Sequence, residues 1–276
     1  MSDTTETFRM SIGAAEVYES KFVPALFGEW APHLVEAAGV APGQAVLDVA
    51  CGTGVVARAA AGRAGGHGRV VGVDLNEAML VVAQRLRPDI EWRQGDAQAL
   101  PFPDSSFDVV VCQSGLMFFS DVVGALREMA RVVTPDGTVA VQVWDRLEAQ
   151  TGYAPLYEVV ARHAGQDAVA LMSAYFALGD LDQLSARIQS AGLRVATART
   201  RVGAVRLGSL DEFVTVEVEG TPLLERISDE VYGRIRADAV RALAGFAGED
   251  GRAAVPIAGH LVTARRQAPP AAPAPR

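Results

Sequence analysis

The sequence predicts an α/β fold built on a doubly wound, mostly parallel β-sheet. Short apolar runs alternate with helix-compatible segments every few tens of residues, which is the pattern of strands joined by right-handed helical crossovers. Half of the 276 residues are hydrophobic, so the chain can bury a sizeable core. A glycine turn after the first apolar run is the third observation, because open α/β sheets hold ligands beyond such strand ends.

The glycine turn ends the stretch 46–54, Val-Leu-Asp-Val-Ala-Cys-Gly-Thr-Gly. Its apolar residues suit a buried parallel strand, while Gly52 and Gly54 let the backbone bend sharply and approach a ligand closely. Residues 55–61 predict the next helix, and free amides at its start would favour an anionic or electron-rich ligand group. An ordinary tight strand-to-helix turn is the alternative when this stretch is considered alone.

Four more strands follow, alternating with helices. The second ends at Asp74, and Asn76 is a candidate cap for the helix after it. The fourth has a continuous apolar core and must lie in the centre of the sheet. A helix at 122–133 is closed by the turn Pro135-Asp136-Gly137. The predicted strands are 70–74, 90–94, 107–112 and 138–144.

The flanking regions predict helices and the end of the sheet. Three- and four-residue apolar spacings in 14–30 predict one or two amphipathic helices. Segments 145–192 and 207–250 are interpreted as insertions that form a helical lid around a strand near 193–202. Residues 254–266 alternate like an antiparallel strand at the sheet edge, which brings the sheet to seven strands. The helices expected in the first insertion are 153–165, 168–177 and 181–191.

The composition argues against several classes of protein. The formal net charge is −8 and the pI is near 5.1, so there is no basic field for nucleic-acid phosphates or an anionic membrane. The N-terminus lacks a basic segment followed by an apolar core, and no apolar run approaches the roughly 20 residues that span a bilayer. We therefore expect a cytoplasmic protein with no nucleic-acid or membrane partner.

Cysteine and histidine are too sparse for a disulfide framework or a zinc site. Cys51 and Cys112 fall in predicted strand ends and are expected to be buried, reduced thiols. No Cys/His cluster has metal-ligand spacing, so we expect no metal. The histidines lie far apart in sequence, at His33, His67, His163 and His260.

Polar residues follow each of the first four strands. Because ligands bind beyond the carboxyl ends of parallel strands, these side chains would meet at one edge of the sheet. An acid about 20 residues past a glycine turn suits two hydrogen bonds to ribose hydroxyls, so Asp74 is the strongest single candidate. A helix-capping or solvated aspartate is the alternative for Asp74. The residues are Asp48, Asp74, Asp96, Gln113 and Ser114.

Two reaction classes fit the glycine turn. Gly52-x-Gly54-x-x-Ala57 satisfies the dinucleotide fingerprint in its Ala-ended form, which indicates an NAD(P)-dependent oxidoreductase. Against this, the turn begins about 45 residues into the chain, whereas dinucleotide folds usually open with it. Reductases that use a tyrosine followed four residues later by a lysine are not matched, because the single lysine, Lys21, precedes the sheet. The oxidoreductase stays an alternative.

The ordered motifs of residues 41–144 resemble those of the class I S-adenosylmethionine-dependent methyltransferases, in particular the small-molecule branch that includes the ubiquinone/menaquinone C-methyltransferases. This chain has Ala50 at a position that is often glycine in that family. The resemblance implies a Rossmann-like fold and S-adenosylmethionine as cofactor. The matching motifs are 46–54, 71–76 with Met79, Gly95-Asp96-Ala97 with Leu100-Pro101-Phe102, 107–110, and 126–137.

The resemblance also implies a role for each matched position. The methionine part of the cofactor would lie against Ala50, Gly52 and Gly54, its amino group would be oriented by Asp48 through water, and its ribose would be held by Asp74. The adenine would be flanked by Leu75 and Met79 and bound by Gly95, Asp96 and Ala97, and the sulfonium side would face Gln113 and Ser114. An aromatic residue from the N-terminal helices often covers this cofactor. Tyr18 is the first candidate, ahead of Phe22 and Trp30, and core packing is the alternative for all three.

The implied reaction is methyl transfer to oxygen or carbon of a small organic acceptor. Because the sulfonium is already activated, the protein mainly aligns the reactants and excludes water, so no catalytic residue is assigned. His163 is one conceivable base, although a lone helical histidine is more often a packing residue. A hydrophobic or aromatic acceptor is expected from the apolar residues Met117, Phe118, Phe119, Trp144, Met172, Tyr175, Phe176 and Phe213.

The sequence divides into four predicted parts. They are an N-terminal helical segment that covers the cofactor at 1–40, a cofactor-binding core at 41–144, the C-terminal part of the sheet with its lid at 145–266, and an Ala/Pro-rich disordered tail at 267–276. A monomer or homodimer is expected. A third class, an enzyme that binds the cofactor without methylating, stays open beside the oxidoreductase.

Overall fold

The computed structural model describes residues 11–267, so the first ten residues of the predicted N-terminal segment and nearly all of the predicted disordered tail lie outside the described residues. The strands are β1 (Ala45–Val49), β2 (Arg69–Asp74), β3 (Glu91–Gln94), β4 (Phe107–Gln113), β5 (Val133–Trp144), β6 (Leu193–Leu207) and β7 (Ala253–Arg266). They form one seven-stranded sheet in the order β3-β2-β1-β4-β5-β7-β6. The predicted α/β class is confirmed.

The helices follow the predicted alternation with the strands. They are α1 (Ile12–Val17), α2 (Gly28–Ala37), α3 (Val55–Ala64), α4 (Glu77–Leu86), α5 (Val122–Val132), α6 (Ala154–Ala164), α7 (Gln166–Met172), α8 (Leu181–Ser190), α9 (Leu210–Glu219) and α10 (Asp229–Ala242). The Asn76 side chain accepts a hydrogen bond from the Ala78 amide, as expected of the cap of α4.

The centre of the sheet is β4, as its apolar run predicts. It pairs in parallel with β1 on one side and β5 on the other, and its residues from Val109 to Cys112 are buried. The turn predicted at Pro135-Asp136-Gly137 lies inside β5 as an irregularity. Phe107 pairs with Val133 and Val109 pairs with Thr138, so the turn residues bulge out of the ladder.

The last strand lies one place in from its predicted position at the sheet edge. β7 is antiparallel to both β5 and β6 and is inserted between them, which leaves β6 outermost. The composition of the two strands explains this order. β7 is almost entirely buried, whereas β6 is largely exposed and carries arginines such as Arg199 and Arg201, and charges on an edge strand discourage pairing with another chain.

Helix α8 is part of the helical layer over the sheet, which corrects the prediction that the whole of 145–192 is a lid insertion. Leu184 and Ile188 are buried in the cluster that α5 and β5 also enter, and α8 contacts α5 and β6. Their four-residue spacing gives α8 a single apolar stripe, which must face the sheet.

The first helices form one continuous rod with a wider middle section, Tyr18–Phe27, which is a π-helix and is called the π segment below. Pro24 lies inside it and has no amide hydrogen to donate. The Phe27 carbonyl oxygen at its end accepts a hydrogen bond of 3.1 Å from the Gln113 side chain. The N-terminal rod is thereby tied to the end of the central strand.

The β6–β7 ribbon projects beyond the carboxyl end of β5. Trp144, the last residue of β5, pairs with Gly259, and the ribbon continues with 202–207 paired to 253–258. Helices α9 and α10 are joined to this projection and pack with α6, so they stand above the edge where the candidate site residues lie. None of the helices between residues 11 and 267 is both long and apolar enough to cross a bilayer.

A pair of alanine substitutions tests the first turn. Gly54 has φ +85° and a Cβ there would collide with the Trp92 indole, so Gly54→Ala should lower the free energy of unfolding by about 2 kcal/mol or more. Gly62 is an exposed position inside α3 with open space around it, so Gly62→Ala should raise stability by about 0.5–1 kcal/mol. Urea denaturation measures both, and equal stabilities would contradict this account of the turn.

Candidate functional site

The Asp74 carboxylate joins the glycine turn to the end of β2. One oxygen accepts a hydrogen bond of 2.8 Å from the Gly52 amide, and the other accepts one of 2.8 Å from the Asn76 amide. Burial raises the pKa of Asp74, and hydrogen bonds from the Asn76, Gly52 and Leu75 amides oppose that rise. The two oxygens have four lone pairs between them, so the carboxylate keeps capacity for a further hydrogen-bond donor.

Asp48 of β1 is buried beneath the turn, and its side chain caps the first turn of α3. Its carboxylate accepts a hydrogen bond of 2.8 Å from the Ala57 amide, so the expectation of a free amide for an anionic ligand is wrong at this position. Burial raises the pKa of Asp48 to about 8, the charge of Asp74 adds to the rise, and the Ala57 amide and Arg58 oppose it. Two mutually repelling carboxyl groups therefore lie side by side under the glycine turn.

Backbone strain is concentrated at the carboxyl ends of two neighbouring strands. Ala50 after β1 has φ +54° and Ser114 after β4 has φ +51°, a region that favours glycine. A Cβ at Gly115 would lie 2.8 Å from the Ala50 methyl group, so the two strand ends also approach closely. This conformation gives a physical reason why glycine is common at position 50 in the family that the sequence resembles. Such strain is typical of functional sites.

Tyr18 lies over the glycine turn. A Cβ at Gly52 would be 3.8 Å from its ring, which stacks on Phe27 at 5.3 Å and on Phe22 at 6.0 Å between centroids. Burial and the nearby charge of Asp74 raise the pKa of the Tyr18 hydroxyl. Trp30 instead packs edge-on against Trp144 in the core, so for that residue the alternative of core packing holds.

The residues expected at the adenine lie beyond β2 and β3. Leu75 is half exposed, Met79 is buried beside Tyr18, and the Gly95 amide donates to the Asp74 carbonyl oxygen. The Asp96 carboxylate is exposed and accepts from the Gln98 amide, next to the buried Ala97. Contact of all these residues with a ligand stays a prediction.

Several buried polar side-chain atoms have no hydrogen-bond partner among the described residues, and one of them, Thr53 Oγ1, lies in the glycine turn itself. A buried polar group left unpaired is costly, so such atoms are candidates for contact with a ligand or with water. Apolar and glycine patterns do not reveal these positions, and sequence reasoning missed Thr53, Glu19 and Gln142. Gln142 also accepts a 2.5 Å hydrogen bond from the Ser114 hydroxyl. The unpaired atoms are Glu19 Oε2, Trp30 Nε1, Thr53 Oγ1, Gln113 Oε1 and Gln142 Nε2.

The predicted apolar pocket is only partly assembled. Phe118 meets Tyr175 edge-on at 5.5 Å, and Phe176 and Phe213 both pack on Tyr153. The Tyr153 hydroxyl donates to the Glu217 carboxylate, and neither residue was predicted from the sequence. Trp144 and Met172 are core residues, while Met117 and Phe119 pack against the core from partly buried positions.

The remaining titratable candidates have structural partners. His163 Nε2 lies 2.8 Å from an Asp238 carboxylate oxygen, so the histidine links α6 to α10, and its role as a base has no support from this contact. Cys51 and Cys112 are buried and form no disulfide with each other, as expected, and the Cys51 thiol donates to the Gly52 carbonyl oxygen at 3.6 Å. Within residues 11–267 no three metal-ligating side chains form a group that could hold a metal ion.

Comparison with known proteins identifies the core. Residues 47–141 match the family model described as a methyltransferase domain. This region is a class I methyltransferase domain. A phosphoethanolamine N-methyltransferase of Haemonchus contortus, solved with phosphomonomethylethanolamine and S-adenosylhomocysteine, superposes with a TM-score of 0.58 at 18% identity, over 96% of this chain and 59% of that chain.

Sequence relatives match the same core. The demethylmenaquinone methyltransferase of Renibacterium salmoninarum is 46% identical over 114 residues, which are 41% of this chain and 46% of that protein. The 2-phytyl-1,4-naphtoquinone methyltransferase of Thermosynechococcus vestitus is 40% identical over 115 residues, 41% of this chain and 51% of that protein. The chain thus spans about half the length of the curated relatives it matches. The matched methyltransferase region ends before α6 begins.

The raised pKa of Asp48 predicts a pH dependence of stability. Because its pKa rises from 3.8 to about 8 on folding, the folded chain holds a proton that the unfolded chain releases, so stability falls as pH rises between these values. Asp48→Asn should flatten that slope by up to about 1 kcal/mol per pH unit, since one pKa unit corresponds to about 1.4 kcal/mol. Urea denaturation from pH 5 to 8 measures it. The exposed Glu249→Gln is the control, and unchanged slopes in Asp48→Asn would refute the assignment.

Proposed function

We propose that this protein transfers a methyl group from S-adenosylmethionine to a small, apolar organic acceptor. The observation that carries the proposal is the pair of carboxyl groups at the glycine turn, the buried Asp48 and the half-buried Asp74. The charge of Asp74 raises the proton affinity of Asp48, and such a site favours a ligand with positive charge. S-adenosylmethionine brings both a sulfonium and an ammonium group to such a site.

The Asp74 carboxylate argues against the oxidoreductase alternative. A dinucleotide would place its anionic pyrophosphate at the glycine turn, where that carboxylate would repel it and the protonated Asp48 would offer no positive charge. Arg58 does not compensate, because its guanidinium is held by the Thr53 carbonyl oxygen and the Glu19 carboxylate at 2.6 and 2.9 Å. The comparisons also lend the oxidoreductase no support, since the matched region and the relatives are methyltransferases.

The cofactor fits the residues present. Asp74 would hold the ribose hydroxyls with its free lone pairs, and the strained backbone at Ala50 and the turn would admit the methionine part. The unpaired Gln113 and Gln142 atoms supply polar contacts on the sulfonium side, beside Ser114. Tyr18 would cover the cofactor and exclude water. The bound cofactor supplies an activated methyl group, and these residues supply its orientation.

The acceptor is assigned by analogy and by the composition of the lid. The relatives named above are named for quinone-type compounds, and Phe118, which follows β4, meets the lid residue Tyr175 edge-on. We therefore propose an apolar ring compound as acceptor, with 1–40 and the lid helices enclosing it. A cytoplasmic monomer or homodimer without nucleic-acid partners is part of the same proposal.

Calorimetric titration with S-adenosylhomocysteine tests the cofactor. Wild type should bind, and Asp74→Asn should bind at least about tenfold more weakly. The reason is that the asparagine side chain has one neutral oxygen acceptor in place of the carboxylate, which accepts from the Gly52 and Asn76 backbone amides and would also accept from the ribose hydroxyls. Asp89→Asn, which changes an exposed carboxylate paired with Arg87, is the matched control and should bind as wild type.

The alternatives predict different results in the same assays. NADH binding with fluorescence enhancement, in place of S-adenosylhomocysteine binding, would support the oxidoreductase. Tight cofactor binding without any product heavier by one methyl group, across a mixture of phenols and quinols followed by mass spectrometry, would support an enzyme that keeps the cofactor without methylating.

A further inference from the structure

We propose that Glu217 and Tyr153 form the end of the site that receives a hydroxyl group of the methyl acceptor, which is then a phenol or an enol. The proposal rests on the methyl-transfer function proposed above. It concerns lid residues that lie outside the matched methyltransferase domain, and it assigns the proton that leaves the acceptor to the Glu217 carboxylate.

The pair lies between two lid helices. Tyr153, at the start of α6, donates a 3.0 Å hydrogen bond to Glu217 on α9. The Tyr153 ring is buried between Phe176 at 5.3 Å and Phe213 at 5.4 Å, which hold the hydroxyl in place. The hydroxyl occupies one lone pair of one carboxylate oxygen, so the carboxylate keeps capacity for a second donor.

Two sets of contacts connect this pair with the cofactor end. Tyr18 covers Gly52 and stacks on Phe22, and Phe22 and Glu217 line the same small cavity between the π segment and α9. Tyr175 lies within electrostatic reach of both ends. Burial raises the pKa of Tyr175, and the negative charge of Glu217 raises it further. Tyr175 in turn contributes to the raised pKa of the Tyr18 hydroxyl.

The surroundings of Glu217 suit proton transfer near neutral pH. Burial raises its pKa to about 7, and the hydrogen bond from Tyr153 limits the rise. The other ionisable groups that face it are Tyr157 on α6, Tyr175, and Lys21 of the π segment, whose side chain lines the same cavity. A carboxyl group with a pKa near the working pH can both accept and hold a proton.

A second tyrosine–glutamate pair joins α9 to α10. Tyr232 of α10 donates a 2.8 Å hydrogen bond to Glu219, two residues from Glu217 on α9, and Glu219 is exposed to solvent. Glu217 is half-buried instead, and its partner Tyr153 is buried. Withdrawing the Glu217 pair from solvent costs free energy that an exposed pair such as Tyr232–Glu219 avoids.

The proposed step conserves atoms and charge. The acceptor hydroxyl gives its proton to the Glu217 carboxylate, and the electrons of the O–H bond stay on the acceptor. A lone pair of that oxygen, or the ring carbon conjugated with it, forms the new bond to the methyl carbon. The electrons of the broken C–S bond return to sulfur, which becomes a neutral thioether.

Entry of an acceptor ring requires the π segment to move away from α9. The cavity between them has a volume of about 20 Å³, which is room for one water molecule. The π segment buries Ala25 and Leu26 in the core and is also held by the Glu19–Arg58 ion pair and the Gln113–Phe27 hydrogen bond, so widening this cavity must displace some of these contacts.

Binding of 1-naphthol and of naphthalene to the chain saturated with S-adenosylhomocysteine tests the proposal. Wild type should prefer 1-naphthol about tenfold or more, the contribution of a hydrogen bond to a charged group. The preference should grow as pH rises through about 7, because ionised Glu217 is the stronger acceptor. Glu217→Gln should lose most of the preference and its pH dependence, while Glu219→Gln should keep both.

Tyr153→Phe separates positioning from packing. Because the Tyr153 hydrogen bond lowers the pKa of Glu217, its loss should shift the midpoint of the 1-naphthol preference to higher pH, which a purely structural role would not do. The proposal is overturned if Glu217→Gln keeps the wild-type preference, or if wild type binds neither probe or both equally. Unchanged S-adenosylhomocysteine affinity in Glu217→Gln shows an intact fold. If wild type does not bind S-adenosylhomocysteine, the proposed cofactor is refuted, whatever the binding of 1-naphthol and naphthalene.

Discussion

The bidentate contact of Asp74 with the Gly52 and Asn76 amides is the interaction on which the site depends. It closes the end of β2 against the turn after β1, so the two central ligand-binding loops cannot separate without leaving a buried carboxylate unpaired. It also fixes where the carboxylate points. Asp48, on the neighbouring strand β1, accepts a hydrogen bond from the Ala57 amide and so caps the first turn of α3.

This arrangement concentrates energetically unfavourable features at one edge of the sheet. Two carboxyl groups repel each other, Ala50 and Ser114 adopt a conformation that favours glycine, and several buried polar atoms lack partners among the described residues. Each feature destabilises the chain alone, and a cationic, hydrogen-bonding ligand would relieve the charge and the unpaired groups. Ligand binding and stability are therefore coupled at the glycine turn.

The sequence predicted the core well because local patterns determine it. Continuous apolar runs, glycine turns and helix stripes give β1 to β5 and their helices, and the acids that follow the strands lie where parallel strands must bring them. The positions of β6 and β7 depend instead on long-range pairing. Alternation alone does not tell an edge strand from its neighbour, so only the contrast between the arginines of β6 and the apolar β7 signals the order.

The lid shows the other limit of sequence reasoning. Glu217 lies on a helix whose spacing reads as an ordinary amphipathic stripe, and its partner Tyr153 is 64 residues away. Nothing local marks Glu217 as half-buried and Glu219 as exposed, because the difference arises from packing against α6 and the π segment. Under the proposed function, the cofactor end would be fixed by backbone amides and the acceptor end by side chains.

That division has a physical consequence for specificity. Backbone contacts at the turn constrain substitution of the residues around them, whereas the Tyr153–Glu217 contact is made by the side chains of two helices. Under the proposed function, a change of Glu217 would alter which acceptor groups are satisfied without disturbing Asp74 or the turn. The acceptor end could then diverge while the cofactor end is retained, and the match to the methyltransferase family likewise ends at residue 141, before α6.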